Sequence, residues 1–126
     1  MNSKPQPNYY LTESERKFAD LIWDHEPINS GDLARLCADQ FGWKKSTTYT
    51  FIKKLCNQLL FQNNDAIVTS LVSKEDYTRV QSEQFVESNF GGSLSRFLAA
   101  FAPRKKYSAT EIEEMMKIIA DYQEDK

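Results

Sequence analysis

Lys45-Ser46-Thr47-Thr48-Tyr49-Thr50-Phe51-Ile52-Lys53-Lys54-Leu55 is the stretch on which the reading of this chain turns. Thr48, Phe51, Ile52, Leu55 and then Leu59 recur at a spacing of three and four. A helix that begins near Lys45 or Ser46 and runs to Leu60 would bury that stripe. The opposite face carries Ser46, Thr47, Tyr49, Thr50, Lys53, Lys54 and Asn57. Hydroxyl, amide and ammonium groups donate to phosphate and read base edges in a major groove, and no carboxylate stands among them to repel a duplex. From Gln40 to Asn64 there are four lysines and no acid, whereas Ser108 to Lys126 holds six acids against two lysines. The net charge of -2 says nothing for nucleic acid, but its distribution builds one segment to meet an anion.

Upstream, Thr12-Glu13-Ser14-Glu15 is a capping box that opens a helix with Phe18, Leu21, Ile22 and Trp23 as its apolar stripe, and Pro27 stops it. Asn29 or Ser30 can cap a second, short helix with Leu33, Leu36 and Cys37 on one face, and Gly42 supplies its left-handed exit. Downstream, Leu59 to Gln62 and Ala66 to Thr69 read as two short strands around the turn cluster Asn63-Asn64-Asp65. Three helices followed by a hairpin is the order of a winged helix.

Ser73-Lys74-Glu75-Asp76 can cap a long helix toward Asn89, with Tyr77, Val80, Gln84 and Phe85 along it, and Gly91-Gly92 breaks it. A short helix with Leu94, Phe97, Leu98 and Phe101 follows, then a loop at Pro103-Arg104-Lys105-Lys106. Ser108-Ala109-Thr110-Glu111 is a further capping box, opening a helix with Ile112, Met115, Met116, Ile119 and Tyr122 on one face. The fold class is therefore mainly α with a small β-hairpin: a winged helix-turn-helix domain over residues 9–72, then a three-helix dimerisation domain over residues 73–126. Those last helices carry more apolar surface than they can bury among themselves, and a symmetric dimer would cover the rest. The expected seam is Phe85, Leu94, Phe97, Leu98, Phe101, Ile112, Met115, Met116 and Ile119.

Composition narrows the function classes. With 40% apolar, 27% charged and 13% aromatic residues, the chain of 126 has the balance of one ordinary domain or two small ones, not of a disordered tail. No apolar run approaches the ~18 residues of a membrane span, and Met1 to Tyr10 lacks the apolar stretch of a secretory signal, so a cytoplasmic protein is expected. Cys37 and Cys56 fall inside helical patterns and read as buried thiols. His25, between two acids in a turn, reads as a solvated surface group. No histidine pairs with a nucleophile, no glycine-rich phosphate loop occurs and no ligand spacing is found, so no enzyme, metal or cofactor is expected.

The order of Leu11-Thr12-Glu13-Ser14-Glu15, Leu21-Ile22-Trp23, Phe41-Gly42-Trp43, Ser46 to Leu55, Leu71-Val72-Ser73, Gly91-Gly92-Ser93-Leu94 and Leu98-Ala99-Ala100-Phe101 resembles the penicillinase-repressor family of winged-helix transcriptional regulators. The resemblance covers roughly Tyr10 to Tyr122. It implies a cytoplasmic homodimeric repressor on a palindromic DNA operator, in a setting of resistance genes. Carried onto this chain, Ser46, Thr47, Tyr49 and Thr50 face base edges, Lys53 and Lys54 face the backbone, and Lys45 stands beside them.

Three positions depart from the family's pattern. Some members are inactivated through a membrane-bound, penicillin-sensing metalloprotease system by cleavage between asparagine and phenylalanine, and the matching pair here is Ala100-Phe101. The wing carries Asn63, Asn64 and Asp65 where a cation would grip phosphate. The C-terminal cysteine cluster of the copper-responsive branch is missing, and thiolates are what select that metal. A reading from a different class is a winged helix turned into a protein-interaction module without DNA binding.

Overall fold

A computed structural model describes residues 4–124. The elements follow as α1 (Glu13–His25), β1 (Ile28–Asn29), α2 (Ser30–Phe41), α3 (Lys45–Asn57), β2 (Phe61–Asn64), β3 (Ile67–Ser70), α4 (Lys74–Phe90), α5 (Leu94–Phe101) and α6 (Ala109–Asp121). They fall into two compact units, the first ending at Glu83 and the second starting at Gln84.

In the first unit the local signals act as their chemistry requires. Thr12 Oγ1 accepts from Glu15 N at 3.2 Å and Glu15 Oε1 accepts from Thr12 N at 2.9 Å, so both orphan donors at the start of α1 are satisfied. Asn29 is the cap of α2, its Oδ1 accepting from Gly31 N at 2.8 Å, and Gly42 leaves that helix with φ 69°.

Three boundaries differ from the sequence expectation. The apolar stripe of α3 continues to Leu60, yet the helix ends at Asn57. Leu59 takes φ 63° and Leu60 N donates to Leu55 O at 3.2 Å, the six-to-one bond of a Schellman termination with leucine where glycine is usual. Leu60 is thereby delivered to the core and Leu59 is left half-buried.

The hairpin turn lies at Asp65-Ala66 rather than at Asn63-Asn64-Asp65, because Asn64 pairs with Ile67 in the ladder and the two intervening residues both take positive φ, 50° and 65°. The sheet also has a third strand. Ile28 and Asn29 pair antiparallel with Val68 and Ile67, giving the order β1-β3-β2, and Ser30 N donates to Ala66 O at 2.8 Å.

Phe18, Ile22, Leu33, Cys37, Leu55, Leu60 and Val68 are buried together at the centre of this unit. Trp43 lies 4.3 Å from Phe51 and 5.7 Å from Phe18 between ring centroids, which plugs one end of the core and seats α3 on α1. At the other end Trp23 lies 5.3 Å from both Phe61 and Tyr77. The N-terminal strap is tied down where Gln58 Nε2 donates to the carbonyls of Asn8 and Tyr10 and Gln81 Nε2 to that of Tyr9.

The second unit holds the end of α4, α5 and α6. Gly91 and Gly92 break the chain with φ 59° and 80°. The loop expected after Phe101 begins as a single 3-10 turn, Ala102–Arg104. Ser108 closes the capping box of α6 with Glu111, at 3.1 Å in both directions. Phe97 contacts Phe85, Phe90 and Phe101 at centroid distances of 6.0, 5.5 and 5.1 Å. Even so, none of the described residues of this unit is buried.

Candidate nucleic-acid interface

The helix α3 is held from one side only. Thr48, Ile52 and Leu55 face the core and are buried, with Phe51 half-buried beside them. At 3.6 residues per turn this leaves Ser46, Tyr49, Thr50, Lys53 and Asn57 along the outward face, with Lys45 at its start and Thr47 and Lys54 on its flank. All of these are exposed except Thr47, which is half-buried. The structure thus brings the seven residues expected to meet DNA onto one side of one helix, and adds Asn57 at its end.

Two local interactions shape that face. Thr50 Oγ1 donates to Ser46 O at 3.0 Å, which fixes its rotamer and leaves its lone pairs outward. Lys45 Nζ stands 5.8 Å from the centroid of the Tyr49 ring, a cation over an aromatic face. The N-cap of α3 is Lys44, which makes no side-chain capping bond, so the first N-H groups and the positive end of the helix dipole are free to receive an anion.

Lys54 differs from its neighbour. Its ammonium pairs with the buried carboxylate of Glu15 on α1. Burial pushes the Glu15 carboxyl up, but the Lys54 ammonium and the Thr12 backbone N-H outweigh it and hold the group below its ordinary value. The sequence showed Glu15 only as half of a capping box; its second partner lies on another helix and leaves no local signal.

The wing tip offers the exposed Asn63, Asn64 and Asp65 and no cation. The cysteine thiols are both pushed up by burial, Cys37 with a partial offset from the Thr48 hydroxyl, so neither is poised as a thiolate. Cys37 is buried as expected, while Cys56 is only half-buried. The His25 ring is exposed, with Nδ1 2.9 Å from Leu21 O. Among the described residues no group of three or more His, Cys, Asp or Glu side chains could hold a metal ion. No described helix is long and apolar enough to cross a membrane.

The residues expected at a dimer seam are open. Phe85, Leu94, Phe101, Ile112, Met116 and Ile119 are exposed, Met116 at 65%, and Phe97, Leu98 and Met115 are half-buried. Ala100 and Phe101 lie exposed in the last turn of α5.

Three helices and a three-stranded antiparallel sheet in this order, followed by further helices, are the architecture of a winged helix with a helical region behind it. The family model described as penicillinase repressor matches residues 11–121. A relative from Bacillus licheniformis, named penicillinase repressor, is 21% identical over 116 residues, which span 89% of this chain and 91% of the relative. The chain belongs to the penicillinase repressor family, a family of transcriptional repressors and not of enzymes.

Proposed function

We propose that this protein is a sequence-specific DNA-binding repressor that acts as a homodimer on a palindromic operator. The observation that carries the reading is the outward face of α3, with Ser46, Thr47, Tyr49, Thr50, Lys53 and Asn57 presented together and no carboxylate among them. Ser46, Thr47, Tyr49 and Thr50 face base edges, and Lys45 and Lys53 take phosphates. Phosphate contacts supply most of the affinity and its salt dependence, while the hydroxyl and amide groups select the sequence. Two copies set their α3 helices one DNA turn, ~34 Å, apart.

The second copy would be recruited through the unit that starts at Gln84. Its exposed Phe85, Leu94, Phe101, Ile112, Met116 and Ile119 support that assignment, because apolar surface of this extent is costly to leave in water. Ala100 gives a protease that selects asparagine nothing to select before Phe101, so release of the proposed repressor runs by a signal other than that cleavage.

The wing favours a second reading, a protein-interaction module, since Asn63, Asn64 and Asp65 offer phosphate no cation. Lys53→Ala separates the two: the DNA binder loses affinity for every duplex alike together with part of its salt slope, and a protein interface is indifferent to salt-dependent duplex binding altogether.

A further inference from the structure

Lys53 and Lys54 are neighbours in sequence on the helix assigned to DNA, and their surroundings are opposite. Lys53 is exposed. The Lys54 side chain, 57% exposed, bends back to a Glu15 side chain that is only 4% exposed. Glu15 Oε1 accepts from Thr12 N at 2.9 Å, so Oε2, facing Lys54 Nζ, depends on the ammonium for its compensation. A buried carboxylate stripped of its cation is strongly disfavoured, whereas a surface lysine moving from water to phosphate gains little by comparison. The carboxylate therefore outcompetes a phosphate for this ammonium.

We propose that Lys54 is a positioning residue and not a phosphate contact: Glu15 holds it as a strut between the first turn of α1 and the middle of α3, and withholds its charge from the duplex. The inference rests on the DNA-binding reading of α3. Of the two adjacent lysines only Lys53 then displaces counterions from DNA, and Glu15 sets the electrostatic strength of the face without touching the ligand.

The test is the salt dependence of duplex binding by the full chain, read by fluorescence anisotropy on one scrambled duplex for the wild type, Lys53→Ala, Lys54→Ala, Glu15→Gln and the double variant Glu15→Gln with Lys54→Ala. Lys53→Ala is expected to flatten the slope of log K against log salt by about 0.9, the value for one lost phosphate contact, while Lys54→Ala leaves the slope where it was. Glu15→Gln frees the ammonium and steepens the slope by about 0.9, and the double variant returns it to the wild-type value. A Lys54→Ala slope flattened as much as that of Lys53→Ala overturns the proposal and leaves DNA binding intact. A wild type that binds no duplex at low salt overturns the DNA-binding reading and this inference with it. If Glu15→Gln does not fold, the two lysine variants decide alone, since both side chains are largely outside the core.

Discussion

The indole Nε1 of Trp23 donates to the carbonyl oxygen of Val72 at 3.0 Å, which joins α1 to the segment entering α4 across 49 residues of sequence. The same ring packs on Phe61 and Tyr77, and the Arg16 guanidinium lies 5.8 Å above it and 5.0 Å from the Tyr77 ring. Asp20 continues the staple outward, with Arg16 at 3.2 Å and Lys74 at 3.3 Å. The start of α4 is thereby part of the winged-helix unit.

Trp23→Phe keeps most of the packing and removes the donor. The Val72 carbonyl loses its partner at a half-buried site, and a loss of about 1–2 kcal/mol in unfolding free energy is expected. Urea denaturation followed by circular dichroism checks it. No change in midpoint would show that water replaces the indole without cost.

Ala66 holds φ 65° in the two-residue turn of the wing, a region that costs an L residue about 1–2 kcal/mol and glycine almost nothing. Glycine gives back about 0.4–1 kcal/mol through the freer unfolded chain. Ala66→Gly is thus expected to stabilise the protein by roughly 0.5–1 kcal/mol, the balance of those two effects. The hydrogen bond from Ser30 N to Ala66 O is made by backbone and survives the change. A rise in melting temperature of the variant is the readout.

Much of this architecture is legible in the sequence because it is local. The capping boxes at Thr12 and Ser108, the cap at Asn29 and the glycine exits at Gly42, Gly91 and Gly92 are each set by a few adjacent residues, and each forms as read. What the sequence hid depends on distant partners. Ile28-Asn29 is too short to show alternation, and becomes a strand only because Val68 and Ile67 come beside it. Leu59 and Leu60 prolong the helical period of α3, while the core draws Leu60 in and forces Leu59 through a left-handed conformation that no glycine announces. At the interface the outward face was legible from periodicity, and the pairing of Lys54 with Glu15 was not, since it joins two helices 39 positions apart.

The Glu15 carboxyl, held below its ordinary value in the folded chain, stabilises the fold above the unfolded carboxylate range of ~4.3, and that contribution fades as pH falls through the folded value. Thermal melts of the wild type and of Glu15→Gln should differ most near neutral pH and converge toward pH ~3. A difference that stays constant over this range would mean that the ion pair is not what stabilises the carboxylate.

Paired substitution of Met116→Asp and Ile119→Asp places two charges on the exposed stripe of α6. If that stripe is a dimer seam, light scattering shows the mass falling from two chains to one, while the near-ultraviolet signal of Trp23 and Trp43 in the other unit is unchanged. A variant with wild-type mass shows that the copies meet elsewhere.

The most direct test of the repressor reading is fluorescence-anisotropy binding of the purified full chain to the DNA upstream of its own coding sequence and to a scrambled duplex, at two salt concentrations, with mass by light scattering. A dimer that prefers the upstream fragment and weakens steeply with salt is the expected result. A dimer that ignores both duplexes at low salt contradicts it and assigns the outward face of α3 to a protein partner.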